Sequence, residues 1–337
     1  MMKLLSVILP VYNADEFVFE SIKSILDQSF VDFELIIIND GSTDNSMEVI
    51  KKFKDDRIIF IDQPNRGLID TLNMGLELSK GKYIARMDAD DIAHPKRFEI
   101  QLNAFREDEE LVLCSGGIIA FSPDGYRKKR YYPLTDADMR SELLFNSSVV
   151  HPLAMFSGDI VRENNIKFDK DYKFCEDYKF FYDLSRYGKI KNIPTFLLNY
   201  RVLPYSQTSI GSNDAMDRYI KISGIHRIIL NDYKIVLNES WSKLHYSLSL
   251  SSEIERLEIS SSMIHDLLNY SRFLVQTARF NKNIALVSLK ASIGEKFLKI
   301  ILFHMKRGAL KKLRKLFFHK FTLLAVFKRM IRIMRYV

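Results

Sequence analysis

Cysteine is nearly absent from this sequence, and so are several features that would fix a function class at once. The two cysteines, Cys114 and Cys175, make neither a disulfide framework nor a zinc site and suit a reducing compartment. Tryptophan occurs once, at Trp241. No stretch reaches 18 uninterrupted apolar residues, so no membrane-spanning helix is expected. Met1-Met2-Lys3-Leu4-Leu5 resembles a secretory leader only superficially. Its apolar run ends at Asn13 without a small-residue cleavage site, and a buried strand accounts for it better. A cytoplasmic protein is therefore expected. No Gly-x-Gly-x-x-Gly follows that run, which argues against a dinucleotide-binding dehydrogenase. No Gly-rich, basic triphosphate loop lies near it either, which argues against a nucleotidyltransferase. Finally, no carboxylate side chain follows Glu295.

What is present is a globular composition, 47% apolar and 27% charged, with room for one large domain plus an extension, or for two domains. Residues 296–337 carry thirteen Lys or Arg; against a net charge of +8, the preceding 295 residues sum to −5. A basic tail implies an anionic surface, nucleic acid or membrane, as partner. The mildly acidic body and the absence of a recognised nucleic-acid motif count against nucleic acid. The tail mixes Phe, Leu and Ile with its cations, which suits either an amphipathic helix on an anionic bilayer or a packed helix pair with a basic outer face.

Apolar periodicity places the elements. Leu4–Val11 and Glu34–Ile38 are continuous apolar runs, as in strands buried on both faces of a parallel sheet. Asn13 with Glu16 reads as a helix-capping pair, and Ser46–Phe53 as a short helix. Arg57–Asp62 and Lys82–Met87 read as further strands, separated by a helix through Leu68, Leu72 and Leu76 that Gly81 is expected to close in a left-handed cap. This alternation predicts an α/β fold with a doubly wound, mostly parallel sheet whose ligand edge lies beyond the strands' carboxyl ends. Pro95–Phe105 reads as a helix, Leu111–Phe121 as a strand, and Ser122–Thr135, with Arg127-Lys128-Lys129-Arg130, as a polar loop, solvated or near an acceptor. Val149–Phe156 and Phe196–Arg201 read as strands around a helix at Glu176–Tyr187. Beyond about Ser212 the pattern is helical, so residues 1–212 are expected to form the α/β domain and 213–337 a helical region ending in a basic tail.

Three polar clusters fall at the expected ligand edge: Tyr12-Asn13, Asn39-Asp40 and Asp88-Ala89-Asp90-Asp91. Carboxylates there can hold Mg²⁺ or Mn²⁺ against phosphate oxygens. Asp40 either accepts the N–H of a pyrimidine base, with Tyr12 stacked on it, or forms a turn with Gly41. Glu176-Asp177 suits a helix N-terminus, and such a position also holds a carboxylate rigidly for proton transfer.

Four segments carry a family resemblance. Ser6-Val7-Ile8-Leu9-Pro10-Val11-Tyr12-Asn13, Asn39-Asp40-Gly41-Ser42-Thr43-Asp44, Gly81 through Asp91, and Cys175-Glu176-Asp177-Tyr178-Lys179-Phe180 resemble the successive motifs of family 2 glycosyltransferases. The resemblance spans about residues 4–210. Gly67-Leu68-Ile69, the Asp88–Asp91 segment with Ile92-Ala93, and Glu176–Tyr182 are also similar to bacterial transferases that extend lipooligosaccharide or capsule chains with hexosamine or galactose.

The resemblance implies a GT-A fold, a UDP-sugar donor, inversion at the anomeric carbon, and Mn²⁺ or Mg²⁺ as cofactor. It implies that Pro10, Tyr12, Asn13, Asp40, Arg66, Asp88 and Ala89 bind the nucleotide sugar, that Asp90 holds the metal, and that Asp177, beside Glu176, is the general base. Relatives often carry an Arg-x-His motif whose His can ligate the metal; here Leu203 replaces it after Arg201, which leaves His151 as a candidate substitute. Arg201 and Gln207 are candidates for the diphosphate or acceptor. The processive members' Gln-x-x-Arg-Trp motif has no counterpart around Trp241, so single transfers are expected. The acceptor implied is a glycan or lipid-linked glycan. That places the enzyme peripherally on the inner face of the cytoplasmic membrane, bound through its basic tail.

Overall fold

A computed structural model describes residues 3–203, 214–281, 284–305 and 310–336. The chain forms two compact units: Met1–Leu134 with Val149–Asn213 and Tyr336–Val337, and Thr135–Ser148 with Asp214–Arg335.

The first unit begins with β1 (Leu5–Val11), α1 (Val18–Leu26), β2 (Phe33–Asp40), α2 (Ser46–Ile50), β3 (Ile58–Gln63), α3 (Leu68–Leu78) and β4 (Tyr83–Arg86). It continues with β5 (Ile92–Ala93), α4 (Arg97–Glu107), β6 (Leu111–Phe121) and β7 (Arg127–Arg130). After α5 (Asp136–Leu143), which belongs to the second unit, it resumes with β8 (Met155–Ser157), α6 (Gly158–Glu163), α7 (Glu176–Ser185) and β9 (Lys189–Arg201).

All nine strands form one sheet in the order β3-β2-β1-β4-β8-β6-β9-β5, with β7 on β6. Every residue of β1 and β2 is buried, as their unbroken apolar runs require. The parallel order β3-β2-β1-β4 follows from the alternation of strands and helices, whereas β8 and β5 enter antiparallel and make the sheet mixed. Both are only two or three residues long, too short for a period to show.

Several local expectations are corrected. Asn13 does not cap α1. Its backbone is left-handed (φ +48°) and its Oδ1 accepts the Thr43 N–H, joining the loops after β1 and β2. Gly81 is not a left-handed cap. A Cβ there would lie 2.5 Å from the Ser6 amide nitrogen, so glycine is required by close approach to β1. Beside it, buried Glu34 accepts hydrogen bonds from Ser6 Oγ (2.6 Å) and the Lys80 N–H (3.0 Å). The cationic Arg127–Arg130 segment is a strand rather than a loop, paired with Ile118–Phe121 and exposed along its length. The expected strand at Val149–Phe156 is a 3₁₀ turn, His151–Leu153, followed by β8.

The second unit is helical. It comprises α5, α8 (Ala215–Asp232), α9 (Glu239–Ser249), α10 (Ser251–Arg256), α11 (Ser261–Ala278), α12 (Leu286–Met305), α13 (Leu310–Phe317) and α14 (Lys320–Arg335). Its interior contains hydrogen-bonded polar groups. His245 Nε2 donates to the Leu144 carbonyl (2.7 Å) while Nδ1 accepts from Tyr270 Oη, and burial holds this imidazole neutral. Glu142 accepts from Lys296 Nζ and from Ser292 Oγ (2.6 Å). α12 and α14 cross closely at Gly294, where a Cβ would clash with the Phe321 carbonyl.

Candidate active site

The parallel strands β1, β2 and β4 end at one sheet edge, where the loops that follow them meet. Asn39, Ser42 and Asp62 knit this edge: Ser42 Oγ donates to Asn39 Oδ1, and Asn39 Nδ2 to Asp62 Oδ1 (2.7 Å). Asp40 is 4% exposed; its carboxylate accepts from Gln63 Nε2 (2.8 Å) and from the backbone N–H groups of Arg66 (2.8 Å) and Gly67 (2.9 Å). It therefore fixes the loop that presents Arg66, whose side chain is exposed. Tyr12 stands half exposed at the end of β1, and Pro10 and Ala89 are buried.

After β4 the carboxylates converge. Asp88, Asp90 and Asp91 each bring an oxygen to within 4.8 Å of the others. Burial, then the charge of Asp88, pushes the Asp90 carboxyl up to about 6 and Asp91 well above the carboxylate range. Asp91 Oδ1 accepts the Arg201 N–H (2.8 Å), while its buried Oδ2 finds no partner among the described residues. Three crowded carboxylates with an orphaned oxygen are a donor set that fits a divalent cation. Asp91 was not singled out by sequence reasoning; its place in the Asp88–Asp91 run was the available signal.

Arg86 was missed as well. It ends β4, is 2% exposed, and its Nη2 pairs with Asp88 Oδ1 at 2.5 Å, while Nε and Nη1 are buried without a partner among the described residues. Its charge bears on Asp90, Asp91, His151, Glu176 and Asp177 alike, so one guanidinium is shared by the aspartate cluster, the acids of α7 and His151. Buried Arg97 donates to its carbonyl (2.8 Å) and holds the strand end from behind.

α7 supplies the other carboxylates from its first turn, where acids suit the helix dipole. Glu176 is 7% exposed, with Oε2 unpartnered among the described residues; burial, then the charge of Asp177, pushes its carboxyl up to about 7. Burial also raises Asp177, against the opposing pull of Arg86. The charge of Asp88 reaches Asp177, so base candidate and aspartate cluster occupy one site.

His151, between Phe168 and Phe181, is held neutral by burial and by Arg86, with Nε2 unpartnered among the described residues; it lies outside the aspartate group. The Arg201 guanidinium is packed between Phe17 and Phe121, donates to the Asp90 carbonyl (2.8 Å) and pairs with Glu20 (2.9 Å). Gln207 lies outside the described residues.

A glycosyltransferase of Haemophilus influenzae without an assigned substrate is 36% identical over 233 residues, covering 65% of this chain and 72% of that one. The glycosyl transferase family 2 model matches residues 6–164, the stretch from β1 through α6. The chain belongs to glycosyl transferase family 2. This family 2 glycosyltransferase is also 28% identical to the chondroitin synthase of Pasteurella multocida over 265 residues, which is 77% of this chain but only 26% of the synthase.

Among solved structures, S. aureus TarS 1-349 in complex with UDP-GlcNAc matches over 93% of the transferase and 90% of that 1-349 chain, with a TM-score of 0.58 at 17% identity. The mannosyltransferase PcManGT of Pyrobaculum calidifontis, in complex with GDP-Man and Mn²⁺, gives 0.55 at 14% identity, over 98% and 88%. These likenesses establish the GT-A fold expected from the motifs, with its helical C-terminal region.

Proposed function

We propose that this family 2 enzyme transfers a hexose or N-acetylhexosamine from a UDP-sugar to a hydroxyl of a glycan acceptor. Transfer proceeds with inversion, one sugar at a time, in the assembly of a bacterial surface polysaccharide or lipooligosaccharide. The observation that carries this reading is the convergence of Asp88, Asp90 and Asp91 with Glu176 and Asp177 around Arg86, where five buried polar atoms have no partner among the described residues: Asp91 Oδ2, Arg86 Nε and Nη1, His151 Nε2 and Glu176 Oε2. Support for a nucleotide sugar comes from the GT-A structures that hold UDP-GlcNAc and GDP-Man.

In this reading residues 1–212 form the catalytic domain and 213–337 a helical extension. Tyr12, Asn13, Asp40 and Arg66 line the nucleotide end, with Pro10 and Ala89 shaping its floor, and Asp88 faces the ribose. Asp90, with Asp91 beside it, would hold Mn²⁺ or Mg²⁺, which neutralises charge on the diphosphate. Asp177 removes the proton of the attacking hydroxyl as the new C1–O bond forms and the bond to the diphosphate breaks, the diphosphate leaving with the electron pair. One displacement inverts the carbon, and no covalent glycosyl-enzyme is required. Its raised proton affinity makes Asp177 a stronger base than an exposed aspartate. Arg86 steadies both carboxylate groups. Arg201 braces β9 against the Asp90 loop, and His151 offers a neutral acceptor.

The test is a screen of UDP-, GDP- and dTDP-sugars for Mn²⁺-dependent hydrolysis and for protection against thermal unfolding. A UDP-sugar preferred over the GDP- and dTDP-sugars in both assays is expected. Preference for GDP-sugars would overturn the donor assignment, and undiminished activity in EDTA the metal assignment.

A further inference from the structure

No helix among the described residues is long and apolar enough to cross a membrane, yet α14 carries a second apolar face outward, besides the one it buries. Leu323, Val326, Phe327, Met330, Ile333 and Met334 are 39–73% exposed. At 100° per residue they lie within about 120° of one another, a single stripe along the helix. The opposite side packs Phe321 and Ala325 into its own unit and carries cations that are paired there. Lys328 Nζ pairs with Asp138, and Arg332 (3.3 Å) and Arg329 (3.9 Å) with Glu295. A surface helix ordinarily turns its charges to water; here part of the charge is spent inward on the unit's carboxylates and the outer apolar face is left uncovered.

Just before α14, Phe317 and Phe318 are 46% and 66% exposed. Lys312, Arg314, Lys315 and Lys320 are exposed beside them, and no acid occurs anywhere after Glu295. A bare apolar stripe in a segment whose free charges are all cationic matches the interface of an anionic bilayer, where acyl chains take the stripe and phosphates take the cations.

We infer that the outward face of α14, with Phe317 and Phe318, inserts into the headgroup boundary of an anionic lipid surface. The inference deepens the reading of a lipid-linked acceptor. It differs from an attraction carried by basic residues alone, because Lys328 and Arg332 turn inward and the apolar stripe supplies most of the contact. Cutting the chain near Gly294 would be a poor test, since that breaks α12 and discards its buried Lys296, Phe297, Ile300 and Ile301.

The full chain is sedimented with phosphatidylcholine vesicles containing about a quarter phosphatidylglycerol, and with phosphatidylcholine alone, in the absence of donor and acceptor. Failure of the catalytic reading therefore leaves the result intact. Parental protein is expected to partition to the anionic vesicles. Phe327→Gln with Met330→Gln should lower the partition roughly 100-fold, about tenfold per side chain withdrawn from the interface. Raising salt should lower it less than that pair does. The far-UV circular dichroism spectrum monitors folding, and Leu323→Gln with Met334→Gln is a second pair on the same face. No partition of the parental chain would overturn the inference. So would complete release by salt alone, or unchanged partition of both folded pairs. A concentration-dependent dimer that both pairs abolish, without vesicle binding, would assign the stripe to a second copy instead.

Discussion

Glu176→Gln tests the electrostatics of the site without asking what the enzyme transfers. Glu176 is 7% exposed, one carboxylate oxygen has no partner among the described residues, and burial with the charge of Asp177 raises its carboxyl from the ordinary 4.5 to about 7. The folded chain thus binds this proton more tightly than the unfolded chain does. Stability must fall as pH rises from about 4.5 to about 7, and stay reduced above that. A rise from 4.5 to about 7, at 1.36 kcal/mol per tenfold change in proton affinity, makes the ionised side chain cost about 3 kcal/mol. Glutamine keeps the shape and removes the charge. At pH 8.5 Glu176→Gln should stabilise the sheet-containing unit by about 2–3 kcal/mol. At pH 4.5 the gain should shrink to under about 1 kcal/mol, since most of the parental side chain is then protonated. The assay is urea unfolding followed by far-UV circular dichroism at both pH values, with fluorescence of Trp241, which lies in the helical unit, as an internal reference. An equal gain at the two pH values would refute the reasoning, as would a loss at pH 8.5.

Asp90→Asn should cost about 10²–10³ in turnover and abolish the thermal stabilisation that Mn²⁺ confers with UDP; a retained Mn²⁺ shift would remove Asp90 from the metal site. Asp177→Asn should cut turnover by about 10²–10⁴ while UDP binding, measured by calorimetry, stays within about twofold; collapse of UDP affinity instead would make it a donor-binding group. Arg86→Gln removes the cation that holds down Asp177, so the acid limb of kcat should move to higher pH and kcat should fall about 100-fold, while Arg86→Lys retains the limb near its parental position; an unmoved limb in Arg86→Gln would separate Arg86 from the base.

Sequence and structure agree best where one strong local signal acts alone. β6 spans Leu111–Phe121 as its apolar run predicts, and β1 and β2 lie within a residue or two of expectation. The Asp88–Asp91 cluster and the acidic first turn of α7 were readable because strand ends and helix starts place side chains predictably. Other features depend on partners distant in the chain. Four consecutive cations look like a loop, and only pairing with Ile118–Phe121 makes β7 a strand. Asn13 looked like a cap because the Thr43 N–H it serves lies 30 residues away. Arg86 sits in a run that reads as strand, and its importance arises from groups near residues 151 and 176 that the fold carries to it. The outward apolar stripe of α14 is invisible to composition, because thirteen cations dominate the tail and nothing local says which of them turn inward.

The detour of the chain through α5 has a consequence for how the protein is made. Leu143, Leu144 and Phe145 are almost wholly buried within the helical unit, yet they leave the ribosome roughly 70 residues before α8 begins. At about 5–20 residues per second the wait is roughly 4–14 s. Glu142 waits longer still, because its partner Lys296 follows 154 residues later. During that interval a short apolar segment beside an unpaired acid has no native neighbour. Nascent chains stalled before α8 should therefore bind chaperones through this segment, and those stalled after α12 should not.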